Sequence, residues 1–176
     1  MHLEFDSSPN QFNGITMYYP KSDTETFNIG PYQCPFGITQ YYGKNEMVVS
    51  VSNDSDIANF QKIDKIVDEF AEENEFPVNG RCSLNTPKNP EYQPTLKLKI
   101  NKNTVFYDEN NIVKDMKYVD KFDKVICEVC ITCIWLNDNA YGVSYRANSV
   151  QVIKEEKKKS KGKQQKKSKY AFDDDE

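Results

Sequence analysis

The clearest metal-binding spacing in the chain is Cys127, Cys130 and Cys133, with two residues between successive cysteines as in a thiolate knuckle. A knuckle needs a tight turn, whereas Glu128-Val129 and Ile131-Thr132 belong to a run rich in β-branched residues. Side chains of an extended strand alternate, so Cys127 and Cys133 are expected on one face and Cys130 on the other, where the three cannot share an ion. No second pair with this spacing exists and the only histidine is His2. Neither a metal nor any other cofactor is expected.

Catalytic chemistry is no better supplied. General acid-base work most often recruits histidine, and a single one at the second position is poorly held. No glycine-rich phosphate loop, GxSxG elbow or HExxH helix is present. Asp54, Asp56, Asp64, Asp68 and Glu69 suit helix capping and a solvated helix face. The expectation is a protein that is not an enzyme.

Rings and cations carried on strands point instead to binding. Unpaired bases stack on Trp, Tyr or Phe while Lys and Arg follow the phosphates. Candidate nucleic-acid-binding residues are Tyr41, Tyr42 and Lys44 around one hairpin tip, Lys97 and Lys99 on the polar side of a strand, Lys102 in the turn after it, and Trp135, Tyr141, Tyr145 and Arg146 on a long hairpin. The competing reading for each ring is packing in a β-rich core.

Charge is strongly segregated. Residues 157 to 169 hold eight lysines and no acid, and Asp173, Asp174, Asp175 and Glu176 close the chain; setting both aside from the total of −4 leaves −8 on residues 1 to 156. An acidic body argues against a phosphate-rich partner, since such binding draws on a positive face. The low-complexity segment after residue 153 is expected to be disordered. Its acidic tip with Phe172 is a polyanion mimic, suited to autoinhibition of a basic groove or to docking on a partner.

Lys124 to Lys154 reads as two long strands joined at Asn137-Asp138-Asn139. Residues 36 to 52 read as a hairpin turning at Gly43-Lys44-Asn45, with Met47, Val49 and Val51 inward. After Asn53-Asp54-Ser55 the apolar period lengthens to about 3.6, and Ile57, Phe60, Ile63, Ile66 or Val67, and Phe70 form the stripe of one helix ending before Pro77. A Pro-rich connection over 77 to 94 leads to Leu96, Leu98 and Ile100 alternating with Lys97 and Lys99, and then to a strand at Thr104 to Tyr107. The expected fold is mainly β, a small antiparallel OB-like barrel with one inserted α-helix and a disordered C-terminal tail; a two-sheet sandwich is the alternative. Residues 1-33 are expected to be an arm packed on the domain, with an edge strand near Gly14 to Tyr19, 34-153 the barrel, and 154-176 the tail.

The segments Cys34-Pro35-Phe36-Gly37-Ile38, Pro94 to Ile100 and Trp135 through Tyr145 to Val152, followed by a tail ending Phe172-Asp173-Asp174-Asp175-Glu176, resemble single-stranded-DNA-binding proteins of phages and large DNA viruses. That resemblance implies an OB fold, sequence-tolerant binding of single-stranded DNA in replication, recombination or repair, no catalysis, and an acidic tail that recruits replication or recombination enzymes. The acidic body and the length of the lysine block depart from it. An RNA-binding OB protein, and a structural scaffold whose lysine tail touches nucleic acid, are the other readings. Five cysteines, odd in number and mostly in apolar strands, suit free thiols in a reducing compartment. MHLEFDSSPN has neither a basic n-region nor an apolar h-region, and no run approaches 18 apolar residues. An intracellular, soluble protein of a host nucleus or a cytoplasmic viral replication site is expected, without a membrane partner.

Overall fold

The computed structural model describes residues 3–21 and 26–154. The chain runs β1 (Asn10–Phe12), β2 (Ile15–Tyr18), β3 (Thr26–Cys34), β4 (Ile38–Tyr41), β5 (Lys44–Ser50), α1 (Asp54–Glu73), β6 (Leu84–Asn85), β7 (Thr95–Ile100), β8 (Val105–Tyr107), β9 (Val113–Lys114), a 3₁₀ turn (Met116–Tyr118), β10 (Asp123–Leu136) and β11 (Tyr141–Ile153). The described fold is therefore mainly β with one α-helix.

α1 starts where Asn53 Oδ1 accepts the Ser55 N–H at 2.8 Å, and Asp54 and Asp56 add charge that suits the helix N-terminus. Its buried side is Phe60, Ile63, Val67 and Ala71. Burying the first three stabilises the packed helix by about 1.5–3 kcal/mol each. Phe60 meets Phe27 of β3 at 5.8 Å and Tyr145 of β11 at 5.5 Å between ring centroids. The helix thus closes over the apolar side chains of two strands far apart in sequence.

All eleven strands belong to one sheet. Followed from β10 through β3, β5, β7 and β11, the pairing returns to β10, because β10 pairs with both β3 and β11. Every step of this circle is antiparallel except β7 with β11, which is parallel. The core side holds Ile29, Met47, Val49, Leu96, Leu98, Val125, Cys127, Val129, Tyr145, Ala147 and Val150. β1 and β2 extend the sheet beside the end of β10, and β8 and β9 beside the end of β11.

Two expectations change here. The sheet takes in Thr26–Cys34, a segment expected, but for Cys34, to belong to the arm. Gly30 and Pro31 sit at the register shift where β3 passes Val125 to Cys127 of β10. Gly30 has φ +104°, and a Cβ on it would stand 2.5 Å from the Val125 carbonyl oxygen, so glycine here is what lets the two backbones approach. The second change is in the cysteines. β10 has an extra residue between Ile131, opposite Tyr145, and Cys133, opposite Ser144. This bulge turns Cys133 to the side of Cys130 and Arg146, and of the three cysteines on β10 only Cys127 remains in the core cluster. The expected pairing of Cys127 with Cys133 on one face is overturned by one inserted residue.

Candidate nucleic-acid interface

Alternation along the paired strands defines an outer face opposite the core. On β5 it carries Lys44, Glu46, Val48 and Ser50, on β7 Thr95, Lys97 and Lys99, and on β11 Gly142, Ser144 and Arg146. Lys99 is opposite both Glu46 and Arg146, so the seam between β7 and β11 brings two cations side by side. Lys97 binds the Glu46 carboxylate at 3.1 Å. Arg146 donates to Asn148 Oδ1 at 3.2 Å. Among the described residues neither Lys99 nor Arg146 makes an ion pair, which leaves both charges available to an anion. Lys99 also lies close enough to the outward Cys133 to oppose the upward push that burial gives that thiol.

A groove of about 900 Å³ crosses this face over β3, β5 and β7. Its floor includes Val48, Ser50, Thr95 and Lys97, and two rings stand in its walls: Phe36, 56% exposed, and Tyr92, 68% exposed. Phe36 belongs to the turn between β3 and β4, and Tyr92 to the connection between β6 and β7. At the far end of β7 the pairing of Asn45 with Ile100 brings Lys44 and the turn residue Lys102 to one end of the sheet. There Tyr41 and Tyr42 stack edge to face at 4.5 Å, the latter 87% exposed and held at φ +46° by the hairpin. Tyr41 is opposite Lys44, on the outer side.

Trp135 reaches this face through the same bulge that turned Cys133. Its ring rests on Gly142, where a Cβ would stand 2.9 Å from the indole Cζ2, and the Arg81 guanidinium stands over it at 5.9 Å. Glycine is needed at 142 for that ring to lie down across β11.

Tyr141 and Tyr145 do not join the set. Both are buried on the core side, Tyr145 to 3% exposure, because they alternate with the outward Gly142, Ser144 and Arg146. The Tyr141 hydroxyl donates to Asp68 Oδ1 at 2.8 Å, and burial together with that carboxylate pushes it up to about 12. The Tyr145 hydroxyl meets Ser83 Oγ, itself bound to Asp64, and burial pushes the tyrosine pKa up. Burial also raises Asp64, against the two hydrogen bonds from Ser83 that favour its charged form. These rings tie the Gly80–Ser83 segment and α1 to β11, so packing replaces the expectation that they contact a ligand.

The structure therefore brings Tyr41, Lys44, Lys97, Lys99 and Arg146 to one face, with Tyr42 and Lys102 at its end and Trp135 beyond β11's fourth residue from Arg146, roughly 13 Å away at 3.3 Å per residue. The reading of strands missed Phe36, Tyr92 and Arg81, which lie in turns and connections. A signal existed for Tyr92: an aromatic between Pro90 and Pro94 in an otherwise polar stretch has no periodic reason to be there. Phe172, Asp173, Asp174, Asp175 and Glu176, with the lysine block, lie outside the described residues.

The acidic balance of the body is unevenly placed. α1 alone holds seven acids and two lysines, and one of those acids, Asp64, accepts from Ser83, which lines the groove. Among the described residues no group of three or more His, Cys, Asp or Glu side chains is arranged to hold a metal ion, and no helix is long and apolar enough to cross a membrane. Comparison of the chain with family models, with curated proteins and with solved structures finds no match.

Proposed function

We propose that this chain is a non-catalytic single-stranded-DNA-binding protein with an OB-like barrel, acting in replication, recombination or repair. The observation that carries the reading is the outer face of β5 and β7, where exposed Phe36, Tyr92 and Tyr41 share a surface with Lys97, Lys99 and Arg146. Exposed rings beside cations, of which Lys99 and Arg146 make no ion pair among the described residues, suit a flexible, charged strand of any sequence. The barrel reading draws on the circle of five strands, β3, β5, β7, β10 and β11 in chain order. OB barrels bind oligonucleotides on the face of their second and third strands, between the loops joining strands one to two and four to five. In this chain those strands are β5 and β7, and the two loops carry Phe36, Tyr41 and Tyr42 on one side and the turn after Trp135 on the other. The acidic tip at 173 to 176 would recruit replication or recombination proteins, and the 157 to 169 lysines would add non-specific attraction.

Titration of the purified chain against labelled single-stranded DNA, duplex DNA and RNA at two salt concentrations tests the reading. Single strands should bind more tightly than duplex, with log K falling by about 0.7 per phosphate contact for each log unit of salt. Equal affinity for duplex, or binding that vanishes when residues 157–176 are removed, would sink it in favour of a tail-borne, non-specific contact. Stronger binding of RNA would move the assignment to an RNA-binding barrel.

A further inference from the structure

Arg81 has a backbone anchor and an uncommitted side chain. Its N–H donates to the Tyr141 carbonyl at 2.8 Å, and the Tyr141 N–H donates to the Asn79 carbonyl at 3.2 Å, so this segment runs beside the start of β11. Its guanidinium is exposed, makes no ion pair among the described residues, and stands 5.9 Å from the centroid of the Trp135 indole. The indole in turn rests against the β11 backbone at Gly142. A rigid plane is thus supported from one side by a strand, and a second planar group, which can swing, is held over it by a fixed backbone.

We propose that Arg81 and Trp135 form a clamp for one unpaired nucleobase, which enters between guanidinium and indole; this inference rests on the single-strand reading given above. Three stacked planar layers need about 7 Å between the outer two, twice the roughly 3.5 Å contact spacing of carbon atoms. The guanidinium therefore has to move outward by about 1 Å, which an exposed arginine without an ion pair can do. In the free protein the cation–π contact covers the ring; with a base in place, guanidinium and indole each stack on one of its faces. Lys99 and Arg146 lie farther along the same face to take the adjoining phosphates. The ligand class is a single strand whose base is free to leave its neighbours, and stacking between two planes is open to any base.

Trp135 is the only tryptophan of the chain, so indole emission reports this site alone. The full chain is titrated with end-labelled oligothymidylate and with an abasic oligonucleotide of equal length and charge, with label anisotropy for occupancy and indole emission for stacking. Oligothymidylate should bind and quench, while the abasic strand should bind more weakly and leave emission unchanged. R81A should weaken oligothymidylate binding about tenfold and abasic binding less than about threefold. R81K, which keeps the charge and loses the plane, should resemble R81A. Anisotropy showing oligothymidylate bound with unchanged emission overturns the clamp and leaves the single-strand reading standing, as does wild-type affinity in R81K, which would make Arg81 a phosphate contact. No binding of either oligonucleotide overturns that reading and the clamp with it.

Discussion

The two faces of β11 use similar residues to opposite ends. On the core face Tyr141 and Tyr145 are surrounded, with hydroxyls committed to Asp68 and Ser83 and ring edges against Phe76 and Phe60. On the outer face the same strand supplies Gly142 as a bed for Trp135 and Arg146 as a cation beside Lys99. An aromatic on a strand is thus no indicator of binding until its phase is known. The rings available to a ligand are those whose neighbours leave them uncovered: Phe36, Tyr92, Tyr41 and Tyr42 at turns and hairpin tips, and Trp135 after a bulge. Cations divide the same way, since Lys97 is held by Glu46 at 3.1 Å while Lys99, in register with both Glu46 and Arg146, and Arg146 itself make no ion pair among the described residues.

The largest effect should come from the core face. Tyr145→Ala removes a buried ring and is expected to cost about 3–5 kcal/mol in chemical denaturation. Tyr145→Phe, which strands Ser83 and Asp64 without the hydroxyl, should cost about 1–2 kcal/mol. A Tyr145→Ala protein as stable as the parent, with weakened binding, would reverse the assignment of the two faces.

On the outer face the expected pattern is the converse. Phe36→Ala and Tyr92→Ala should each weaken single-strand binding by about 1–3 kcal/mol while changing stability by less than about 0.5 kcal/mol. Loss of stability without loss of affinity in both variants would make these rings structural and empty the groove of its stacking surface.

A smaller and more specific effect separates the two lysines of β7. Lys99→Ala should flatten the salt dependence of binding by about 0.7 to 1 in the slope of log K against log salt. Lys97→Ala should do less, because its charge is already partly committed to Glu46 and must be released before it can serve a phosphate. Equal slopes in the two variants would show that the Glu46 contact does not hold in solution.

The smallest effect is in the pH dependence of stability. Tyr141 is raised from 10.0 to about 12 and Cys34, buried beside β10, from 9.0 to about 11. A group whose pKa is higher in the folded state contributes stability that is complete below its unfolded value and is lost as pH climbs through the folded one. Stability should therefore fall from pH 9 upward and continue to fall to about pH 12. Tyr141→Phe should make the part of that fall above pH 10 shallower; an unaltered profile would mean that the Asp68 contact does not hold the hydroxyl's proton.

Local pattern was enough to determine α1, β7 and the long hairpin of β10 and β11. The alternation of Leu96, Leu98 and Ile100 with lysines, the 3.6-residue stripe from Ile57 to Phe70 after an Asn cap, and the β-branched run into Asn137-Asp138-Asn139 each reflect a periodicity of the backbone itself, and the strands and helix lie where that periodicity puts them. Alternation even carried a warning about the candidate site, for Tyr145 and Arg146 are adjacent in a strand and cannot both face a ligand. What tertiary structure decided was phase and cover. One extra residue after Ile131 turned Cys133 and Trp135 outward, because a bulge shifts every later side chain by one position, and bulges leave no periodic trace until the partner strand's register is known. Gly30 and Pro31 joined a strand because β10 was there to receive them. Phe36, Tyr92 and Arg81 came to the outer face from segments with no period at all, where only the packing of distant strands determines which ring stays uncovered.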